Sequence, residues 1–79
     1  MPVEVNEKVL SLKGNVTIEE AERLFDLLEK NPDLKLDLSS CTHIHTSCLQ
    51  ILMSFKPEIV SMPEEKDLCF WIKEAMKKT

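Results

Sequence analysis

At 79 residues the chain has room for one domain, over residues 1–79, with a small core. With 43% hydrophobic and 30% charged residues, its composition excludes a disordered tail. A formal charge of −4 without a cluster of Lys or Arg excludes a nucleic-acid binder, and Lys73, Lys77 and Lys78 around Glu74 read as a solvated helix end favoured by the dipole.

The opening MPVEVNEK carries acids where a secretory leader would carry basic residues and an apolar run. The longest apolar stretch, Cys48 to Phe55, is broken by Gln50 and Ser54 and is too short to span a bilayer. Three cysteines leave at least one thiol free. The expectation is a cytoplasmic protein without direct membrane insertion. Cys41, Cys48 and Cys69 are expected to be small buried thiols.

In chain order, Val3 to Val5 is a short alternating strand. Lys8 to Lys13 is a second, with Leu10 and Leu12 on one face and Val9 and Ser11 on the other. Asn6 and Glu7 between them suit a hairpin turn, and Gly14 with Asn15 ends the second strand. Thr17-Ile18-Glu19-Glu20 has the spacing of a capping box. The helix it opens places Ile18, Ala21, Leu24, Phe25 and Leu28 on one stripe, and Asn31-Pro32 stops it. Leu34, Leu36 and Leu38 alternate with Lys35 and Asp37, which predicts a third strand. Strand, helix, strand in that order predicts a parallel pair.

Ser39 to His45 reads as a polar turn anchored inward by Cys41 and Ile44. A second helix runs from about Thr46 to just before Pro57. At about 100° per residue, Thr46, Gln50, Ser54 and Ser47 share one polar arc, with Met53 at its edge and apolar residues on the remainder. Pro57 to Met62 reads as a short final strand. Ser61 and Glu64, with Pro63 between them, have the spacing of a second capping box. The last helix then runs to about Lys77, with Leu68, Trp71, Ile72, Ala75 and Met76 facing inward and Phe70 outward. Leu68 to Ile72 can also be read as a buried strand.

Cys41, His43, His45 and Cys48 are metal-ligand types, but their spacing matches no CxxC or HxxxH pattern. They read as surface histidines and buried thiols, and neither metal nor cofactor is expected. A Cys–His nucleophile would need an orienting group, an oxyanion site and a pocket, and no glycine lies near Cys48. Catalysis is therefore not expected, and no glycine-rich phosphate loop exists. Thr46 and Ser47 by themselves read as helix-capping hydroxyls.

The wider pattern resembles the STAS family, named for sulphate transporters and anti-sigma-factor antagonists. The likeness runs through Leu12-Lys13-Gly14, a strand ending in glycine before a capped helix, and through Leu36-Asp37-Leu38-Ser39. It is densest at Ile44-His45-Thr46-Ser47-Cys48-Leu49-Gln50-Ile51-Leu52. Aligned so, Thr46 takes the place of the family's phosphorylated hydroxyl, His45 that of an acidic residue and Cys48 that of a glycine. The resemblance implies an α/β fold with a four-stranded mixed β-sheet and about three helices, in the order β-β-α-β-α-β-α. It implies a protein-binding, partner-switching role in bacterial signal transduction, as in an anti-sigma-factor antagonist. Phosphorylation of Thr46, or alternatively Ser47, would control it, and the partner would be an anti-sigma-factor or kinase-like protein. The contact surface would be His43, His45, Thr46, Ser47, Gln50 and Met53. The alternative it implies is an unphosphorylated subunit of a larger complex, such as a lipid-transport ABC system, bound to its ATPase.

Overall fold

The computed structural model describes residues 2–77; Lys78 lies outside the described residues. Four strands, β1 (Val3–Asn6), β2 (Val9–Leu12), β4 (Lys35–Asp37) and β6 (Glu58–Ser61), form a mixed sheet in the order β1-β2-β4-β6. β1 and β2 pair antiparallel, whereas β2–β4 and β4–β6 pair parallel. Two further strands, β3 (Gly14–Val16) and β5 (Cys41–Ile44), pair parallel with each other. The helices are α1 (Ala21–Lys30), α2 (Thr46–Phe55) and α3 (Lys66–Lys77). The domain is thus α/β with the predicted mixed sheet and three helices.

Alternation decides which sheet face is covered. Val3, Leu10, Leu12 and Leu36 fall on one face through the register Val3↔Leu12 and Leu10↔Leu36, and all four are buried. The opposite face carries Glu4, Ser11, Lys35 and Glu58. The Lys13–Glu4 and Lys35–Glu58 ion pairs, at 3.2 and 3.8 Å, are exposed and add little stability. Val16, Leu24, Leu28, Ile44, Leu52 and Ile72 complete one hydrophobic core. Each fully buried leucine contributes about 1.5–3 kcal/mol. Helix α2 packs between α1 and α3.

Several local expectations are corrected. The hairpin turn is Glu7-Lys8, not Asn6-Glu7: both residues have positive φ, 51° and 68°, the twist that a two-residue hairpin needs. The segment after Gly14 is a strand, not a strand end. Gly14 has φ 64°, and a Cβ added to it would meet no atom within 4 Å, so backbone conformation rather than space calls for glycine. Ser39 to His45 is not a turn throughout, because Cys41–Ile44 is strand β5. Cys41 and Ile44 are its buried anchors, as expected.

The Thr17 side chain makes no cap hydrogen bond, so the first capping box does not form. A 3₁₀ turn at Ile18–Glu20 precedes α1 instead, with Glu20 N–H donating to the Thr17 carbonyl at 3.0 Å. Three residues per turn rather than 3.6 swings Ile18 off the inward stripe, and it is 57% exposed. Phe25, also placed in that stripe, lies at its edge and is 45% exposed. Its ring meets Phe55 edge-on, with centroids 5.3 Å apart.

The second capping box fails for a different reason. Ser61 is held in β6, where its carbonyl accepts the Leu38 N–H at 2.9 Å, so Pro63 precedes the helix instead of opening it. Helix α3 starts at Lys66 and is capped by Glu65, whose carboxylate accepts the Asp67 and Leu68 N–H groups at 3.0 and 2.7 Å. Leu68 and Ile72 are buried and helical, so the strand reading of 68–72 does not hold. Phe70 faces outward as expected, but Trp71 is 42% exposed and not in the core.

The rotation of α2 is as predicted: Cys48, Leu49 and Leu52 are buried while Thr46, Gln50 and Ser54 are exposed. Leu52→Ala should therefore cost about 2–5 kcal/mol and Ser54→Ala less than about 0.5 kcal/mol. Urea unfolding of the two variants against the parent checks both.

Candidate binding groove at the start of helix α2

The site is built outward from β4. At the end of that strand the Asp37 carboxylate accepts the Ser39 N–H at 2.9 Å, an Asx turn. The Ser39 backbone N–H and then its side chain hold the Asp37 carboxyl below its ordinary range, with help from Lys13 and against slight desolvation. The turn is pinned to β3 by the Gly14 N–H, which donates to the Ser40 carbonyl at 2.8 Å.

Strand β5 ends at Ile44 and His45 follows it. The His45 backbone N–H donates to the Val16 carbonyl at 2.8 Å, and its own carbonyl accepts from Cys48 and Leu49 in the first turn of α2. The residue is extended, with φ −68° and ψ 146°, and its imidazole Nδ1 accepts the Ser47 N–H at 3.0 Å. His45 is thus the N-cap of α2. Thr46 and Ser47, expected to supply capping hydroxyls, are the first two helical residues.

Thr46, Leu49, Gln50 and Met53 from α2 face Trp71, Glu74 and Ala75 from α3 across an open groove of about 280 Å³. Thr46 and Gln50 are exposed and Met53 is half-buried. His43 lines a neighbouring hollow of about 350 Å³, and Trp71 lines both. The structure therefore brings together Thr46, Gln50 and Met53, and places His43 on the far side of Trp71. His45 and Ser47 are half-buried and line neither depression. They shape the helix start from beneath.

Trp71 and Glu74 are the residues that sequence reasoning missed. Trp71 lies about 60° from Leu68 in helical projection, beyond Ala75 and at the border of the stripe. An indole N–H has no place in an apolar core without a partner, and that is the signal for an outward position.

The cysteines pack. The Cys48 thiol donates to the Thr17 carbonyl at 3.3 Å, and the Cys41 thiol lies 3.5 Å from the His43 carbonyl. Burial pushes both thiols up; Glu20 and Cys41 add to this at Cys48, and the His43 backbone offsets part of it at Cys41. Such thiols are poor nucleophiles. Cys69, expected to be buried, is half-buried. Among the described residues no three His, Cys, Asp or Glu side chains converge as metal ligands would. No helix among them is long and apolar enough to cross a membrane.

Comparison with protein-family models, curated proteins and solved structures returns no match to this chain.

Because His45 supplies the helix cap, His45→Ala should cost about 0.5–2 kcal/mol and His45→Asn, which restores an acceptor, should cost less. Thermal unfolding of the two variants checks the order.

Proposed function

We propose that this chain is a STAS-like protein-binding domain and that the groove between α2 and α3 is its contact surface. The observation that carries this reading is the placement of Thr46. It is exposed at the first position of α2, on the rim of a groove walled by Met53 and Trp71. That is where the resemblance to anti-sigma-factor antagonists puts a regulatory hydroxyl. His45 stands where that family has an acid. An imidazole Nδ1 and a carboxylate oxygen can each accept the N–H that opens the helix, so the exchange is compatible with the same geometry.

In the leading reading the protein is a cytoplasmic partner-switching regulator. Its unmodified face binds an anti-sigma-factor or kinase-like protein. Phosphorylation of Thr46 adds nearly two negative charges and a bulky tetrahedral group. The start of α2 tolerates that charge through its dipole, and the fold survives. Glu74 already lines the groove, so a close-fitting partner meets both added negative charge and lost contact. Ser47, half-buried with its N–H bonded to His45, is the weaker candidate for modification.

The apolar share of the groove favours a second reading. Leu49, Met53, Trp71 and Ala75 suit a permanent contact, as in an unphosphorylated subunit held on the ATPase of a lipid-transport ABC system. Both readings make the domain a binder and not an enzyme, and both use the same face.

The intact mass of the chain isolated from its own cells separates them. Switching predicts a fraction carrying one phosphate, localised to Thr46, and a Thr46→Glu variant that stays folded but binds its partner at least about tenfold more weakly. An unmodified chain that co-purifies stoichiometrically with an ATPase contradicts switching. Unchanged partner affinity for Thr46→Glu removes the site from either contact surface.

A further inference from the structure

The outermost line of α3 is made of three lysines and a phenylalanine. With Lys66 at 0° in helical projection, Lys73, Lys77 and Phe70 fall at about −20°, 20° and 40°. The buried Leu68 and Ile72 fall at about 200° and 240°, on the opposite side of the helix. Lys66, Phe70, Lys73 and Lys77 are all exposed, and Phe70, at 65%, is more exposed than Ile18 or Phe25. Its ring lines neither the α2–α3 groove nor the hollow beside His43, so it stands out from the surface.

The lysines of this stripe differ from those on the sheet and α1. Lys8, Lys13, Lys30 and Lys35 each pair with a carboxylate. Among the described residues, Lys66, Lys73 and Lys77 pair with none, although Asp67 and Glu74 lie on the same helix. Those two acids fall to one side of the stripe, at about 100° and 80°.

The counterpart of the stripe lies on α1. An open hollow of about 650 Å³ is lined by Glu19, Glu22, Asp26 and Glu29, with Arg23 and Phe25. Asp26 pairs with Lys30 at 3.3 Å. Among the described residues, Glu19, Glu22 and Glu29 pair with no cation. Phe25 is 45% exposed and gives the hollow an aromatic patch. From Glu19 to Glu29 it extends over about 15 Å, and the stripe from Lys66 to Lys77 over about 16 Å. The two surfaces are thus opposite in charge, alike in length and each provided with one exposed ring.

We propose that the chain associates with a second copy of itself, the α3 stripe of one molecule seated in the α1 hollow of the other. Phe70 rests against Phe25, and Lys66, Lys73 and Lys77 face Glu19, Glu22 and Glu29. Helix α2 packs between α1 and α3, so the two surfaces meet only between molecules. Each molecule carries both, and the contact either closes reciprocally as a dimer or repeats head to tail. The net charge of −4 opposes association at long range. At about 0.1 M salt the Debye length is about 10 Å, which screens that repulsion more than it screens charges in contact. From α3 the groove at α2 is lined by Trp71, Glu74 and Ala75, none of them on the stripe, so the proposal holds whether or not Thr46 is ever modified.

The test is sedimentation equilibrium of the full chain at about 0.1 M salt, from micromolar to millimolar protein. The parent should self-associate, and at about 1 M salt it should do so at least about tenfold more weakly. Phe70→Ser should weaken association at least about tenfold. Lys73→Glu with Lys77→Glu, and separately Glu22→Lys with Glu29→Lys, should each weaken it by about the same factor; all four positions are exposed. An equimolar mixture of these two charge variants restores opposite charges across one contact and should associate more tightly than either variant alone. The proposal is overturned by a parent that stays monomeric at millimolar concentration, including one that binds phosphatidylglycerol vesicles instead. It is equally overturned by association that Phe70→Ser or either charge pair leaves unchanged, or by a mixture no more associated than its components.

Discussion

His45 ties a strand to a helix with three sets of hydrogen bonds from one residue. Its N–H closes the β3–β5 pair on Val16, its carbonyl accepts from Cys48 and Leu49, and its imidazole takes the Ser47 N–H. The first two would hold for any residue here; the third requires a side-chain acceptor. Together they set both the position and the rotation of α2. Once they are set, Cys48, Leu49 and Leu52 must enter the core and Thr46 and Gln50 must stay outside it. The outer face of α2 is thus a consequence of how β5 ends.

The second wall of the groove comes from α3, and its placement depends on competition for backbone partners. Ser61 has the right side chain to cap a helix, but its carbonyl is taken by Leu38 of β4. Helix formation is deferred until Glu65 can supply two acceptor oxygens. That delay opens the space beside β5 and sets the register in which Leu68 and Ile72 are buried while Trp71 reaches the surface. A structural preference for pairing over capping therefore shapes the α2–α3 groove and the hollows beside Thr42 and Glu65.

Much of this was legible in the chain. Leu10-Ser11-Leu12 and Leu34 to Leu38 show the two-residue period without ambiguity, and they are the buried centre of the sheet. The arc of Thr46, Gln50 and Ser54 follows from helical geometry alone, and with it half of the groove. Strand β5 was hidden because Thr42 and His43, adjacent in sequence, are both exposed, which breaks alternation. Its pairing with β3 is non-local and leaves no local signature. Both capping boxes misled because a matching spacing says nothing of competitors: a 3₁₀ turn at Ile18–Glu20 in one case, a strand partner for Ser61 in the other. His45 carries the least recognisable role, since capping is usually sought in Ser, Thr, Asp or Asn.

We propose that the chain meets its partner through the α2–α3 face. The exposed aromatic and aliphatic side chains of Phe25 and Ile18 on the α1 side offer the competing surface. Hydrogen–deuterium exchange of the chain alone, set against the complex isolated from its own cells, distinguishes them directly. Binding through the α2–α3 face should give new protection in 46–53 and around Trp71, with α1 unchanged. Protection confined to residues 18–30, with the start of α2 exchanging as in the free chain, would contradict it.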